Sequence, residues 1–421
     1  MYLSKTGYAS PVKDYIFSGR FLRDRKFVAL LWFGLPLFAV LQAVVLHRIN
    51  TYIIYKWVYF HTVQQVNLYL PYPQEYGDVN LYGPLFSLVI APFALLPDWL
   101  GVTCWVLASA ALLWYAISKL PFSHNNKTIL LLLCAHELMY TSAWVQTNAL
   151  ICACMILGFA FVNEQKEGRA LFFIMAAGFI KIYGLTALVF FLFSKRPLRF
   201  IGWGAIWSVV FFFAPLLITS PSFLIQSYGD WYEGLRIKAA KNVHFDPKNF
   251  YQDVSVMGMI RRIFNYYRLQ DSWILVPAFL LFVSQFLRYK SFSDLRFRLY
   301  LLCSVLMGTI IFSSGAEAST YIIALPGICI WYLLQPKTRL TNIFFILVFV
   351  LTTFSHSDLI THWFREHVVH RYSLKALPPL VIWITILVQI YKKQFLRACD
   401  PFKDTFTPVP APACSPTQKY Y

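Results

Sequence analysis

Two carboxylates, Glu75 and Asp78, stand close together in the stretch YPQEYGDVNLYGP. Beside an apolar surface a carboxylate gains basicity, because burial disfavours its charged form, and it can then take a proton from an incoming hydroxyl. The same pair can equally serve as solvated loop acids, with Asp78 forming a turn. Further along, Lys181 interrupts the apolar run AAGFIKIYGLTALVFF. An ammonium in such surroundings needs an acidic partner, for which Glu137 and Glu317 are available, or an anionic ligand such as a phosphate or carboxylate. His136, Gln146 and Asn148 add polar groups to neighbouring apolar segments.

The elements that must position these groups belong to a membrane protein. Of 421 residues, 58% are hydrophobic and 13% are charged, against about 45–50% and about 25% in soluble domains. Apolar segments near 27–46, 83–97, 99–117, 128–143, 146–162, 170–193, 199–218, 273–287, 299–314, 320–335, 342–355 and 375–391 approach or reach the roughly 20 residues that cross a bilayer. They predict an all-α polytopic membrane protein with about 12 transmembrane helices. The first follows Arg23-Asp24-Arg25-Lys26 without a small-residue cleavage site behind it, so it reads as a retained span.

With a cytoplasmic N-terminus, the alternate short loops carry Lys195, Arg196 and Arg199, then Arg288, Lys290, Arg296 and Arg298, then Lys337 and Arg339, then Lys392, Lys393 and Arg397. This is the distribution that the positive-inside rule requires. The external side then receives the long loops 47–82 and 219–272 and a shorter one, 356–374. The net charge of +18 is accounted for by cytoplasmic anchors beside anionic lipid, and nucleic-acid binding is not required.

In the first external loop, INTYIIYKWVYFHTVQQV has the periodicity of a helix lying in the interface, with Lys56 and His61 on it. The prolines and glycines of NLYLPYPQEYGDVNLYGP force the backbone to turn. The second loop carries Arg236, Lys238, Lys241, Lys248, Arg261, Arg262 and Arg268 against five acids. It either faces an anionic headgroup or escapes the charge bias by its length. Residues 1–26 read as a basic cytoplasmic N-terminus, and 392–421, rich in proline and polar residues, as a disordered cytoplasmic tail. Six of the eight cysteines lie in apolar runs. Cys152 and Cys154 point to different faces of a helix with no histidine nearby, which favours core packing over a metal site.

Several blocks in order resemble glycosyltransferase family 87. NLYLPYPQEYGDVNLYGPLFSLVIAPFALLPDWLG is similar to a family block built around Tyr-Gly-Pro and a following Leu-Leu-Pro, and QTNALICACMILGFAFVNEQKEGRALFFIMAAGFIKIYG to one ending in Ile-Lys. SVMGMIRR, GAEASTYIIALPGICIWYL and LKALPPLVIWITILV extend the likeness over most of residues 27–391. The resemblance implies a GT-C-type helical bundle and a mannosyltransferase-like activity of bacterial type. It would act at the external face of the inner membrane, with a polyprenyl-phosphate-linked sugar as donor and a lipid or glycan as acceptor.

No cofactor is expected, and the Asp-x-Asp signature of a metal-dependent transferase is absent. In that reading Asp78 or Glu75 is the base. Lys181, Lys56 and Arg261 receive the donor phosphate, with Arg365 and Arg371 in reserve, and Tyr82, Gln146, Asn148 and Glu317 line the substrate. The resemblance also sets a departure: Asn50 stands about where many members carry an aspartate base. The base has then moved to Glu75 or Asp78, or the chain is an inactive relative. A lipid or glycan flippase is the alternative from another class.

Overall fold

A computed structural model of the chain describes residues 20–243, 252–357 and 360–404. Lys248, Cys414 and the tail beyond residue 404 lie outside the described residues. What is described is helices and turns, with no strand among the described residues. Helices satisfy every backbone N–H and C=O within one segment, which hydrocarbon surroundings demand. Five helices are long and apolar enough to cross a membrane, Arg25–Val45, Asp98–Lys119, Pro197–Leu217, Ser272–Ser291 and Leu374–Tyr391. Four shorter apolar ones accompany them, Asn148–Asn163, Ile182–Phe193, Ala318–Leu334 and Arg339–Thr353. The chain is an all-helical membrane protein.

Two of the apolar segments fold differently from the expectation. The segment 83–97 holds only the nine-residue helix Phe86–Ala94. At 1.5 Å per residue this covers about 14 Å, half the roughly 30 Å of a hydrocarbon core. Prolines set its limits, since Pro84 stands just before it and Pro97 caps the next helix. It packs against the helix Asn50–Gln64, whose Tyr52 hydroxyl donates to the Phe93 carbonyl at 2.8 Å. The preceding loop is irregular, as its prolines and glycines require.

The segment 170–193 is a hairpin rather than one helix. The α-helix Glu167–Ile180 is followed by a twelve-residue 3₁₀ helix, Ile182–Phe193, that runs back along it. Their outer ends meet, with Gln165 Nε2 donating to Phe193 O at 3.2 Å and Ser194 Oγ to Glu167 Oε1 at 3.1 Å. Lys181 forms the apex in extended conformation, φ −138° and ψ 121°. Two glycines let the arms touch there: a Cβ on Gly178 would lie 2.2 Å from Leu185 Cδ2, and one on Gly184 2.5 Å from the Ala177 Cβ. A continuously apolar run does not distinguish a straight helix from a folded-back pair, so composition predicts one span. Lys181 therefore sits at a tip, not halfway along a helix.

The tip is locked to the first long loop. Gly83 N–H donates to Ile180 O at 3.1 Å. A Cβ on Gly83 would lie 2.1 Å from Phe179 O and 2.9 Å from the Trp231 ring.

Most charges inside the bundle are paired. Glu137 and Lys375 are both fully buried and 2.7 Å apart, and Lys375 Nζ also donates to Ala318 O at 2.9 Å. Buried Arg261 joins Asp253 at 2.9 Å, Asp271, and the Leu269 carbonyl. That cluster anchors a segment tied to the next turn by Val254 N–H donating to Ala316 O at 2.8 Å and Tyr321 Oη to Val254 O at 2.7 Å.

Part of the tail is also ordered. Phe395 is buried, Cys399 N–H donates to Leu334 O at 2.9 Å, and Ser123 N–H donates to Pro401 O at 3.0 Å. Disorder therefore does not extend over residues 394–404, because this stretch carries its own apolar anchors.

Arg261→Met strands two carboxylates, one of them fully buried, and is expected to cost about 3–5 kcal/mol of stability. A thermal-unfolding midpoint unchanged in detergent contradicts this. Gly83→Ala overpacks the contact with Phe179 and is expected to cost about 1–3 kcal/mol in the same assay. A variant as stable as the parent shows that the loop can yield there.

Candidate active site

Three segments converge on the hairpin tip: the loop ending in Gly83, the start of the helix Asn148–Asn163, and the turn before the 3₁₀ helix Ala318–Ile322. The amide of Asn148 links them. Its Nδ2 donates to Ser319 O at 3.2 Å, which turns Oδ1 towards the tip. That oxygen accepts from Lys181 Nζ at 3.0 Å and from the Tyr183 hydroxyl at 3.1 Å. The Lys181 ammonium also stands 5.1 Å from the centre of the Tyr82 ring and 5.3 Å from that of Tyr183, where the negative ring faces attract a cation.

No carboxylate lies within ion-pair distance of Lys181 among the described residues. The alternative partner Glu137 is taken by Lys375. Lys181 is partly buried, with its ammonium among the Asn148 amide and the Tyr82 and Tyr183 rings.

Tyr82 is held firmly beside Lys181. Its hydroxyl bonds that of Tyr55 at 2.8 Å and reaches Gln146 Oε1 at 3.4 Å, and its N–H donates to Asn80 Oδ1 at 2.9 Å. The helix Pro221–Val243 is bonded to the loop. Trp231 Nε1 donates to Leu81 O at 3.0 Å, and Asp230 accepts from Asn67 Nδ2 at 2.8 Å.

Glu317 lies on the turn that leads into Ser319, whose carbonyl holds the Asn148 amide. It caps the 3₁₀ helix that follows, with its N–H donating to Thr320 Oγ1 at 2.7 Å. Burial pushes its carboxyl above the ordinary carboxylate range and the Asp78 charge adds to this, while Lys181 and Lys238 pull it down. Asp78 and Lys238, from the loop and the helix Pro221–Val243, thus act on the same group as Lys181.

An apolar cavity of about 610 Å³ opens beside the tip. Tyr183, Thr186, Thr309, Phe312 and Trp383 line it on the bundle side, and Phe279 closes it from the helix Ser272–Ser284. Tyr183 belongs to both places, since its ring lines the cavity and its hydroxyl shares the Asn148 oxygen with Lys181. The arrangement can hold an anion that carries an apolar chain.

Of the residues singled out by sequence, Gln146, Tyr82, Lys181 and Asn148 form a chain of contacts, each touching the next, and Glu317 and Asp78 are within electrostatic reach of one another. Lys56 and Arg261 are not free cations. Lys56 pairs with Asp98 at 2.6 Å, and Arg261 is fully buried and saturated by Asp253, Asp271 and a carbonyl. Neither partner adjoins in sequence, so composition could not reveal the pairing. Arg365 lies 3.3 Å from Glu366, and Arg371 stacks near Tyr372.

Glu75 is 2.9 Å from His61, whose pKa is lowered by burial against the opposing pull of Glu75. Asp78 is exposed and accepts from the N–H of Val79 at 2.8 Å. Asn50 accepts from Gly77 N–H at 2.9 Å, so the amide shapes the turn between the two acids. Sequence reasoning missed Tyr183 and Lys375. The position of Tyr183, two residues beyond Lys181, becomes informative only once the chain is known to reverse at Lys181.

The family model of glycosyltransferase family 87 matches residues 80–314, more than half of the chain. No curated protein matches it. The chain belongs to glycosyltransferase family 87 and is a membrane-embedded glycosyltransferase.

Proposed function

We propose that this enzyme is mannosyltransferase-like and moves a hexose from a polyprenyl-phosphate donor to a lipid or glycan acceptor at the external face of the inner membrane. The observation that carries this reading is Lys181, a partly buried ammonium with a neutral amide, two aromatic faces and no carboxylate at ion-pair distance among the described residues. A charge in such a place normally has a counter-charge. A donor phosphate supplies it, and the cavity that shares Tyr183 receives the prenyl chain.

The sugar then faces Tyr82 and Gln146. As the bond to phosphate breaks, negative charge grows beside a cation already in place, the kind of preorganisation that lowers such barriers most. Phosphate is a stable anion, so the leaving group needs no acid. The candidate proton acceptors are Asp78, Glu317 and Glu75, the last of them held by His61. In this reading the shorter apolar helices complete a GT-C-type bundle of about 12 passes with its basic loops in the cytoplasm. A flippase needs a polar path through the bundle, whereas residues 151–162, leading away from Asn148, are apolar throughout and buried.

The test uses purified protein, radiolabelled polyprenyl-phosphate mannose and an envelope lipid extract as acceptor. Lys181→Met removes one charge-assisted contact, worth about 1.5–3 kcal/mol, so donor binding is expected to weaken about 10- to 100-fold. Unchanged affinity in that variant refutes the phosphate role. Absence of transfer by the wild-type protein with every lipid-linked sugar refutes the donor class.

A further inference from the structure

Three carboxylates come into question as the base, Glu75, Asp78 and Glu317, and their surroundings differ in kind. Glu75 is engaged by His61 at 2.9 Å. Asp78 is exposed, and its Oδ1 is occupied by the N–H of Val79 at 2.8 Å. Glu317 alone of the three is deeply enclosed, only half-buried, and without a basic group at ion-pair distance among the described residues.

Its backbone is pinned on both sides. Ala316 O accepts from Val254 N–H at 2.8 Å, Ala318 O from the buried Lys375 ammonium at 2.9 Å, and Thr320 Oγ1 accepts from the N–H of Glu317 itself at 2.7 Å. Ser319 O then takes the Asn148 amide whose other end holds Lys181. One side chain therefore fixes where Lys181 stands relative to the Glu317 turn.

The result is a carboxylate and an ammonium that act on each other's charge without touching. Opposite charges gain by closing to contact, yet among the described residues no ion pair joins these two. A gap of that kind suits a neutral group lying between an anion at the ammonium and a hydroxyl at the carboxylate. A sugar with a phosphate on one face and an attacking alcohol on the other has this form.

We infer that Glu317 is the base that takes the proton of the acceptor hydroxyl in this enzyme. The inference rests on the donor-phosphate reading of Lys181 and extends it to the other side of the sugar. In the step, the acceptor O–H proton passes to the Glu317 carboxylate, and the freed oxygen lone pair forms the bond to the anomeric carbon. The anomeric C–O bond to phosphate breaks at the same time, and its electron pair leaves with the polyprenyl phosphate, whose added negative charge lies beside Lys181. Protonated Glu317 then returns its proton to water. Base and leaving group act in one concerted displacement, so the reaction inverts the anomeric configuration, as in single-displacement glycosyl chemistry.

The site also sets the pH behaviour. The charged or titratable groups that interact with Glu317 are Lys181 and Tyr183 from the hairpin, Lys238 from the helix Pro221–Val243 and Asp78 from the loop. Burial and Asp78 raise its pKa, and a base must be ionised to act. Activity is therefore lost on acidification at a higher pH than an ordinary glutamate would give.

The experiment measures kcat against pH with polyprenyl-phosphate mannose and envelope lipid extract, and separately the binding of farnesyl phosphate. Glu317→Gln is expected to lower kcat about 10²- to 10⁴-fold and abolish the acid limb, with farnesyl phosphate binding equal to or tighter than wild type. Glu317→Asp should recover part of the rate and keep an acid limb. Asp78→Asn should keep the limb and move it to lower pH, because a like charge has been removed.

A Glu317→Gln enzyme with the wild-type rate and limb overturns the assignment. So does an Asp78→Asn enzyme that alone loses both. Glu317→Gln protein that no longer binds farnesyl phosphate assigns the residue to structure instead. Lys181→Met distinguishes the two levels: if it weakens binding while Glu317→Gln stays active, only the base is wrong, whereas unchanged binding in Lys181→Met removes the donor reading itself.

Discussion

The amide of Asn148 sets the geometry on which the rest of the site depends. Through Nδ2 it grips the carbonyl of Ser319, and through Oδ1 it receives Lys181 and Tyr183 from the hairpin tip. An amide has one acceptor end and one donor end, so fixing the donor end fixes which charge the other can stabilise. An acid at position 148 would have neutralised Lys181 and closed the site to anions. The neutral amide orients the ammonium and leaves its charge for a ligand. Gly83 completes the arrangement, because its missing Cβ lets the loop bearing Tyr82 reach the same tip.

Comparison of the deep cations shows why Lys181 is set apart. Lys375 has Glu137, and Arg261 has Asp253 and Asp271. These pairs hold segments together: Lys375 also ties down the turn bearing Glu317, and the Arg261 cluster fixes the segment that bonds to Ala316. Desolvating a charge is costly, and a partner offsets most of that cost. Lys181 has only dipoles and ring faces at contact distance, with Glu317 held further away. The protein thus keeps a cation poised beside an apolar cavity, an arrangement that costs stability in the absence of an anion and, on the proposed reading, suits a lipid-linked phosphate.

Much of this was legible in the residues. The apolar runs identified a membrane protein, the turn 72–84 was read from its prolines and glycines, and Lys181 stood out as an ionisable group in an apolar run. The ordered blocks pointed to the family. Other features were hidden because they depend on distant partners or on chain reversal. Nothing in AAGFIKIYGLTALVFF reveals that the chain turns back at Lys181, although Gly178 and Gly184 are what make the turn possible. Lys56 and Arg261 looked like free cations because Asp98, Asp253 and Asp271 meet them only in the fold. The run 83–97 is apolar enough for a span but too interrupted by proline to be one helix. Glu317 was visible as an acid near a boundary, yet its link to Lys181 runs through Asn148 and Ser319 and exists only in the fold.

The most direct measurement is an experimental structure of the full chain with farnesyl phosphate bound in a lipid nanodisc. The phosphate is expected within about 2.7–3.2 Å of Lys181 Nζ, with the prenyl carbons between Tyr183 and Trp383. A phosphate seated elsewhere, for instance on the basic end at Lys392, Lys393 and Arg397, with nothing bound at the hairpin tip, contradicts the account.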